Sequence, residues 1–434
     1  MDLVNRKDKI MKIRFYNARI MKLDTNDKSC PIIEGELHTD DSRINYIGTE
    51  SKEGGFDREI DCKGNLIIPG FKNAHTHSAM TFLRSYADDL PLQEWLFNQV
   101  FPREDKLTPD DVYLLSKLAI MEYLSSGITA NFDMYFFAES IAAAAKDTGF
   151  RTVLCGSVNG GAEKIQRVKD EFERYNKYDE LVSYQLGFHA EYTTSVDLMK
   201  EIAALSRQLK APVYTHNSET EKEVAECKER HGMTPTALFE ELGMLEYGGG
   251  GFHCVYMDDN DLDIFKRHGL WAVTNPGSNT KLASGIAPIW EMQKRGINLA
   301  IGTDGPASNN CLDMFREMFL VTGLQKLREK DAAVCDALTV LYMAAKGGAL
   351  AMGLNDSDCL AEGKNADLVM IDLNQPNMQP LNSIAKNLVY SGSKSNVKMT
   401  MVNGKILYEN GEYFIGEKPE DIYRKANEIA DRLR

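Results

Sequence analysis

Residues Leu66–His77 read LIIPGFKNAHTH. An apolar run turns through Pro69-Gly70, resumes, and stops at two histidines spaced two apart. Side chains on a strand alternate with period two, so His75 and His77 point the same way and both imidazoles can reach one ion. Other strand-type runs end in similar residues. Tyr184–His189 stops at His189, and Val213–His216 stops at His216 with Glu219 just beyond. Gly251–Val255 carries His253, and Leu299–Asp304 stops at Asp304. Ile128–Met134, Thr152–Val158 and Leu270–Asn275 bring the tally to eight runs. Helical patterns lie between them at Pro109–Ser125, Ser140–Thr148, Ala162–Tyr175, Ser195–Leu209 and Ile264–His268. Repeated strand-then-helix units predict a parallel sheet, and eight of them predict an α/β fold closed as a (β/α)8 barrel of the TIM type.

Outside that middle the texture changes. Residues 12–70 hold short alternating runs (Ile13–Tyr16, Arg43–Ile47, Leu66–Pro69), and the pattern returns in Ala366–Asp372 and Val397–Tyr408, with a turn at Asn403-Gly404. The two ends are expected to build one small β-sandwich domain, residues 1–69 with 363–434, around a metal-dependent barrel of residues 70–362. Residues 418–434 read as a closing amphipathic helix. Gly248–Gly251 reads as a loop before a strand, because it lacks the fingerprint of a phosphate loop.

The 434 residues suit a barrel of about 250 residues plus a second module. A hydrophobic share of 43% supports a sizeable core, and a formal charge of −14 repels phosphate backbones, which argues against nucleic acid as a partner. The N-terminus has no apolar core followed by a small-residue cleavage site. No run approaches the roughly 18 consecutive apolar residues of a membrane span. Eight cysteines stand singly, without a C-x-x-C pair, and read as the reduced thiols of a cytoplasmic protein. A homo-oligomer is left open.

Barrel strands bring their C-terminal ends to one mouth, so the terminal residues converge there. Five of the eight histidines (75, 77, 189, 216, 253) fall at such ends, whereas His38, His231 and His268 fall elsewhere. A lone buried histidine is usually a hydrogen-bonded structural residue, and the clustering argues against that for these five. The ligand set expected is His75, His77, His216 and Asp304. Three imidazoles and a carboxylate suit one Zn²⁺, with Fe²⁺ as the alternative. A second metal bridged by a carbamylated lysine has no support, since Tyr184–Ala190 (YQLGFHA) contains no lysine. Such an ion lowers the pKa of water to about 7. Asp304 is placed to take the proton, His253 to hydrogen-bond the same water, and Glu219 to donate to a ring nitrogen. Taken alone, Glu219 is as well explained as part of a solvated helix start.

These residues sit in stretches that resemble a known family. Residues 69–96 (PGFKNAHTHSAMTFLRSYADDLPLQEWL) look like the first barrel strand and following loop of the amidohydrolase superfamily. Within it they most resemble the 5′-methylthioadenosine/S-adenosylhomocysteine deaminases. The likeness continues through 102–105 (PRED), 133–135 (DMY), 216–219 (HNSE), 275–288 (NPGSNTKLASGIAP), 302–310 (GTDGPASNN) and 363–367 (GKNAD). The resemblance implies a hydrolase of cyclic amidine C–N bonds that converts an adenine nucleoside to the inosine-type product and ammonia. It gives His75, His77, His216 and Asp304 as metal ligands, Glu219 as the acid for the purine ring and His253 as the residue beside the water. It also implies Glu104 on the ribose hydroxyls and His189 against the nucleoside. Arginines that relatives carry after strand 3 are absent from Val153–Ala162 (VLCGSVNGGA), with only Lys164 and Arg167 nearby, so a small or uncharged 5′ substituent is expected. Thr274 stands where relatives often have histidine.

Two other readings use the same residues differently. The machinery could act on another ring, a pterin, guanine or a triazine, and a non-catalytic barrel scaffold is the remote alternative. His189-Ala190-Glu191 mimics the H-x-E of the small zinc deaminases, but no P-C-x-x-C follows to complete that site.

Overall fold

The computed structural model describes residues 11–25, 30–51 and 54–434. Residues 1–10, on which the N-terminal reading rests in part, lie outside them. Eight parallel strands run in chain order around the centre: β6 (Phe71–Thr76), β7 (Ile128–Asp133), β8 (Arg151–Cys155), β9 (Val182–Ala190), β10 (Val213–Asn217), β11 (Gly249–His253), β12 (Trp271–Thr274) and β13 (Asn298–Ile301). Five earlier strands, β1 (Lys12–Met21), β2 (Ile32–Asp40), β3 (Arg43–Gly48), β4 (Arg58–Asp61) and β5 (Leu66–Pro69), form a second sheet. Four later ones join them: β14 (Leu368–Ile371), β15 (Val397–Val402), β16 (Lys405–Glu409) and β17 (Glu412–Tyr413).

The barrel closes through side chains and loop backbone where the β13–β6 ladder is missing. The carbonyl of His75 accepts from the backbone N–H of Thr303 at 3.1 Å and of Asp304 at 3.0 Å. Asn73 and Thr303, both fully buried, exchange two more bonds of 2.7 and 2.8 Å. The barrel's seam thus fixes Asp304 beside His75.

Leu66–His77 is two strands rather than one. Its first part, β5, pairs with β1 and β14 in the end sheet, and after Gly70 the chain enters the barrel. A Cβ at Gly70 would lie 2.1 Å from Thr129 Cγ2, so only glycine permits the crossing there. The expected β-sandwich is joined by hydrogen bonds into one nine-stranded sheet. Strand β1 changes partner from β4 to β5 at a bulge around Asn17, whose φ is 52°. Phe15, Ile20 and Leu37 from one end of the chain pack there with Leu368, Met399 and Met401 from the other.

The loop reading of Gly248–Gly251 is overturned, because Gly249–Gly251 lie within β11. A Cβ at Gly249 would lie 1.9 Å from the Val213 carbonyl, and one at Gly250 would lie 2.2 Å from that of Trp271. Neighbouring strands approach too closely for side chains, which is why this strand lacks the β-branched signature. Helices cover the barrel. The one at Pro109–Ser125 starts at a capping box of Thr108 and Asp111, and the closing helix spans Pro419–Leu433. No helix among the described residues is long and apolar enough to cross a membrane.

Candidate active site

The strand ends do converge. His75 is the next-to-last residue of β6 and is fully buried, stacked on Phe252 with ring centroids 3.8 Å apart. Its centroid lies 4.9 Å from that of His77 and 4.8 Å from that of His216. Asp304 faces this group: its Oδ1 is 3.5 Å from His75 Nε2 and 3.2 Å from His77 Nε2. Donor atoms of His75, His216, His253 and Asp304 all lie within 4.8 Å of one another. His253 therefore stands among the donors, while His77 meets the same carboxylate oxygen from the side.

Three of the rings are oriented by their second nitrogen. His77 Nδ1 bonds the Met134 carbonyl at 2.5 Å, His216 Nδ1 the His189 carbonyl at 2.6 Å, and His253 Nδ1 the Asn279 Oδ1 at 2.7 Å. That leaves each Nε2 free to face the centre, the arrangement metal-binding imidazoles require. His75 has no hydrogen-bond partner on either nitrogen despite complete burial. An unsatisfied buried polar group calls for an unplaced partner, and a cation among these lone pairs supplies it. The donor set fits a single divalent ion, zinc by ligand type.

The charges agree. Burial pushes the His75 imidazole down to about 3 and that of His216 well below its ordinary value, so both stay neutral donors. Burial also acts on His77, but the hydrogen bond and charge of Asp304 outweigh it and raise His77 to about 9 in the metal-free pair. Asp304 is held well below the usual carboxylate range; burial opposes this, and His75 and His77 outweigh burial. Its Oδ2 accepts from Ser278 Oγ at 2.6 Å and Ser308 Oγ at 2.7 Å, leaving Oδ1 for the centre.

Glu219 lies two residues past β10, with Oε2 3.8 Å from His253 Nε2 and Oε1 accepting from Ser284 Oγ at 3.2 Å. Burial raises its carboxyl. The Glu223 carboxylate holds the backbone N–H groups of Ser218 and Glu219 at 3.0 and 2.8 Å, which fixes the turn that carries Glu219 inward. Glu104 sits on the helix Phe101–Glu104, buried, accepting from Tyr135 Oη at 2.6 Å. Burial lifts it to about 7. His189 lines the same cavity, with Nδ1 2.9 Å from Thr193 Oγ1 and burial lowering it to about 4.

One cavity of about 720 Å³, counted out to solvent, joins these groups. Leu92, Trp95, Leu96, Phe101, Phe136 and Leu282 give it an apolar wall. Its described lining includes Ser157 and Asn159 but no lysine or arginine. Lys164, outside this lining, donates to Asn159 Oδ1 at 3.2 Å, and Arg167 is turned to Glu171 on its own helix. Thr274 is buried outside this lining, its carbonyl accepting from Gly302. Ser278, Asn279, Ser284, Ser308 and Tyr135 had no role in the sequence reading. All five sit inside stretches quoted there for resemblance, Tyr135 closing the triplet Asp133-Met134-Tyr135, so their positions were visible but their bonds were not.

Comparison with known proteins places this site in a lineage. The model of the Amidohydrolase family matches residues 66–407. A 5-methylthioadenosine/S-adenosylhomocysteine deaminase of Caldicellulosiruptor saccharolyticus is 39% identical over 406 residues, covering 92% of this chain and 94% of that one. A 5′-deoxyadenosine deaminase of Methanothermobacter thermautotrophicus is 38% identical over 394 residues, covering 89% and 92%. Among solved structures, a zinc-bound adenosine deaminase from Xanthomonas campestris superposes with a TM-score of 0.92 at 31% identity, covering 97% of this chain and 98% of that one. With the barrel, the converging imidazoles and a family match over most of its length, this chain belongs to the amidohydrolase family.

Proposed function

We propose that the protein hydrolytically deaminates an adenine nucleoside of the adenosine, 5′-deoxyadenosine or 5′-methylthioadenosine type, releasing the inosine-type product and ammonia. The observation that carries this reading is a single cavity holding the metal-donor cluster, a buried acid at Glu219 and a second buried carboxylate at Glu104. His75, His77, His216 and Asp304 are proposed as the ligands of one divalent ion, zinc by ligand type. A divalent ion there supplies the Lewis acidity that makes water nucleophilic at neutral pH.

The chain's own groups divide the remaining work. Asp304 takes the attacking water's proton on Oδ1, since Oδ2 is occupied by two serine hydroxyls, and passes it to the departing amine. Glu219, whose carboxyl burial pushes up, gives its proton to ring N1 as C6 becomes tetrahedral. His253, anchored through Nδ1, aims Nε2 at the reacting water and stabilises the developing charge. Glu104 accepts from the ribose hydroxyls, His189 lies against the nucleoside, and the apolar wall excludes bulk water. A 5′ substituent without charge fits a lining that lacks a cation. A cytoplasmic location is proposed on the cysteines, eight free thiols.

Ammonia release across adenosine, 5′-deoxyadenosine, 5′-methylthioadenosine, S-adenosylhomocysteine, guanine and a pterin tests the reading. Adenine nucleosides with small 5′ groups are expected to react fastest and S-adenosylhomocysteine more slowly. Release from guanine or the pterin alone, with metal-loaded protein, would assign the site to another ring.

A further inference from the structure

The triplet Asp133-Met134-Tyr135, which begins on the last residue of β7, has one residue without a role in the chemistry above. Asp133 Oδ1 accepts from the backbone N–H of Ser78, and the Met134 carbonyl holds His77 Nδ1. Tyr135 turns the other way. Its phenol, in a ring 5% exposed, donates to Glu104 Oε1 at 2.6 Å, and Ser157 Oγ bonds its carbonyl at 3.0 Å. Among the described residues, Tyr135 is the partner hydrogen-bonded to the Glu104 side chain, so Oε2 faces the cavity both residues line.

We propose that Tyr135 is a positioning residue of the sugar subsite, its hydroxyl fixing Glu104 Oε1 so that Oε2 is presented to the vicinal hydroxyls of the nucleoside. The inference rests on the nucleoside reading of the cavity. Glu104 is the last residue of the continuous helical stretch Leu92–Glu104, where the rotamer of its long side chain is set by what the carboxylate meets rather than by the helix. A buried carboxylate with one oxygen bonded and one free binds a diol in a single orientation. With neither oxygen bonded it loses its charge or swings. The bond also opposes the upward push of burial on Glu104. Because the triplet also seats His77, the sugar subsite and the metal cluster share one short segment of backbone.

The test compares an adenine nucleoside with its 2′,3′-dideoxy analogue on metal-loaded wild type, Tyr135→Phe and Glu104→Gln. Phenylalanine keeps the ring and its packing, and melting temperature and metal content are read alongside. Losing one hydrogen bond to a charged group predicts that Tyr135→Phe lowers the nucleoside-to-dideoxy ratio of kcat/KM by about tenfold, mostly through KM. An equal loss on both substrates, with or without early melting, would mark Tyr135 as structural and overturn the inference. So would an unchanged ratio in Tyr135→Phe beside a fallen ratio in Glu104→Gln. A ratio unmoved in Glu104→Gln would instead remove the sugar subsite itself.

Discussion

Asp304 shows its two carboxylate oxygens to different partners, and the difference assigns their work. Oδ2 takes two serine hydroxyls, while Oδ1 looks at His75 and His77. Its backbone, at φ 58°, lies in the left-handed region, as does that of His253 at φ 72°. Neither residue type settles there freely, so strain is stored where side chains must be aimed at one point. Glu219 has the complementary property: burial pushes its carboxyl up, Ser284 donates to Oε1 and His253 Nε2 lies 3.8 Å from Oε2. Glu219→Gln keeps size and polarity but removes the proton donor. Its kcat is expected to fall roughly 10²–10⁴-fold, with bound metal unchanged by elemental analysis. A smaller loss of kcat, or a loss of metal in parallel, would move Glu219 from proton donor to a support of the ion site.

At the scale of elements, the barrel seam and the site are one construction. Asn73 on β6 and Thr303 after β13 exchange two bonds inside the barrel, and the next residue is Asp304. Asn73→Ala removes one of the two acceptors of the Thr303 N–H, which keeps the His75 carbonyl, and the donor to Thr303 Oγ1, both in a dry interior. A loss of about 1–3 kcal/mol in unfolding free energy is expected. Metal affinity should fall about 10–100-fold against a competing chelator. Stability lost with affinity intact would separate seam from site. The strand-end histidines were legible because a ligand residue stops an apolar run, and a run of eight such units reads as a barrel. Glu104 was not legible, since in FPREDKLTPDD it is one acid among several and only tertiary burial singles it out. The glycine-rich start of β11 was read as loop because close strand approach selects glycine, which sequence texture equates with turns. The serines on Asp304 Oδ2 were invisible for a simpler reason: hydroxyls that hold a carboxylate leave no spacing to recognise.

For the whole molecule, the question is what joins the end sheet to the barrel. Arg151 opens β8 at the barrel's N-terminal rim, and Asp367 precedes β14 of the other sheet. Their side chains are 6% and 0% exposed and meet at 2.9 Å. Asp367 also accepts from the backbone N–H of Asn403 at 2.6 Å, and Arg151 reaches Asn403 Oδ1 at 3.2 Å. Lys72, fully buried, adds a second positive charge close enough to act on Asp367. Burial opposes ionisation of Asp367, but the charges of Arg151 and Lys72 prevail and hold it below the ordinary carboxylate range. Arg151 therefore depends on one carboxylate placed at the joint between sheets, whereas Lys72 also donates to the Gly70 carbonyl and Thr129 Oγ1 at 2.8 Å. Asp367→Ala strands Arg151, and removing one member of a buried pair costs roughly 3–5 kcal/mol. The expected result is a lower urea midpoint, with the two sheets unfolding in separate steps where the wild type shows one. Arg151→Met in the same background removes the stranded cation and should recover part of the loss. A double variant no more stable than Asp367→Ala would show that the joint rests on the backbone bond to Asn403 rather than on the ion pair.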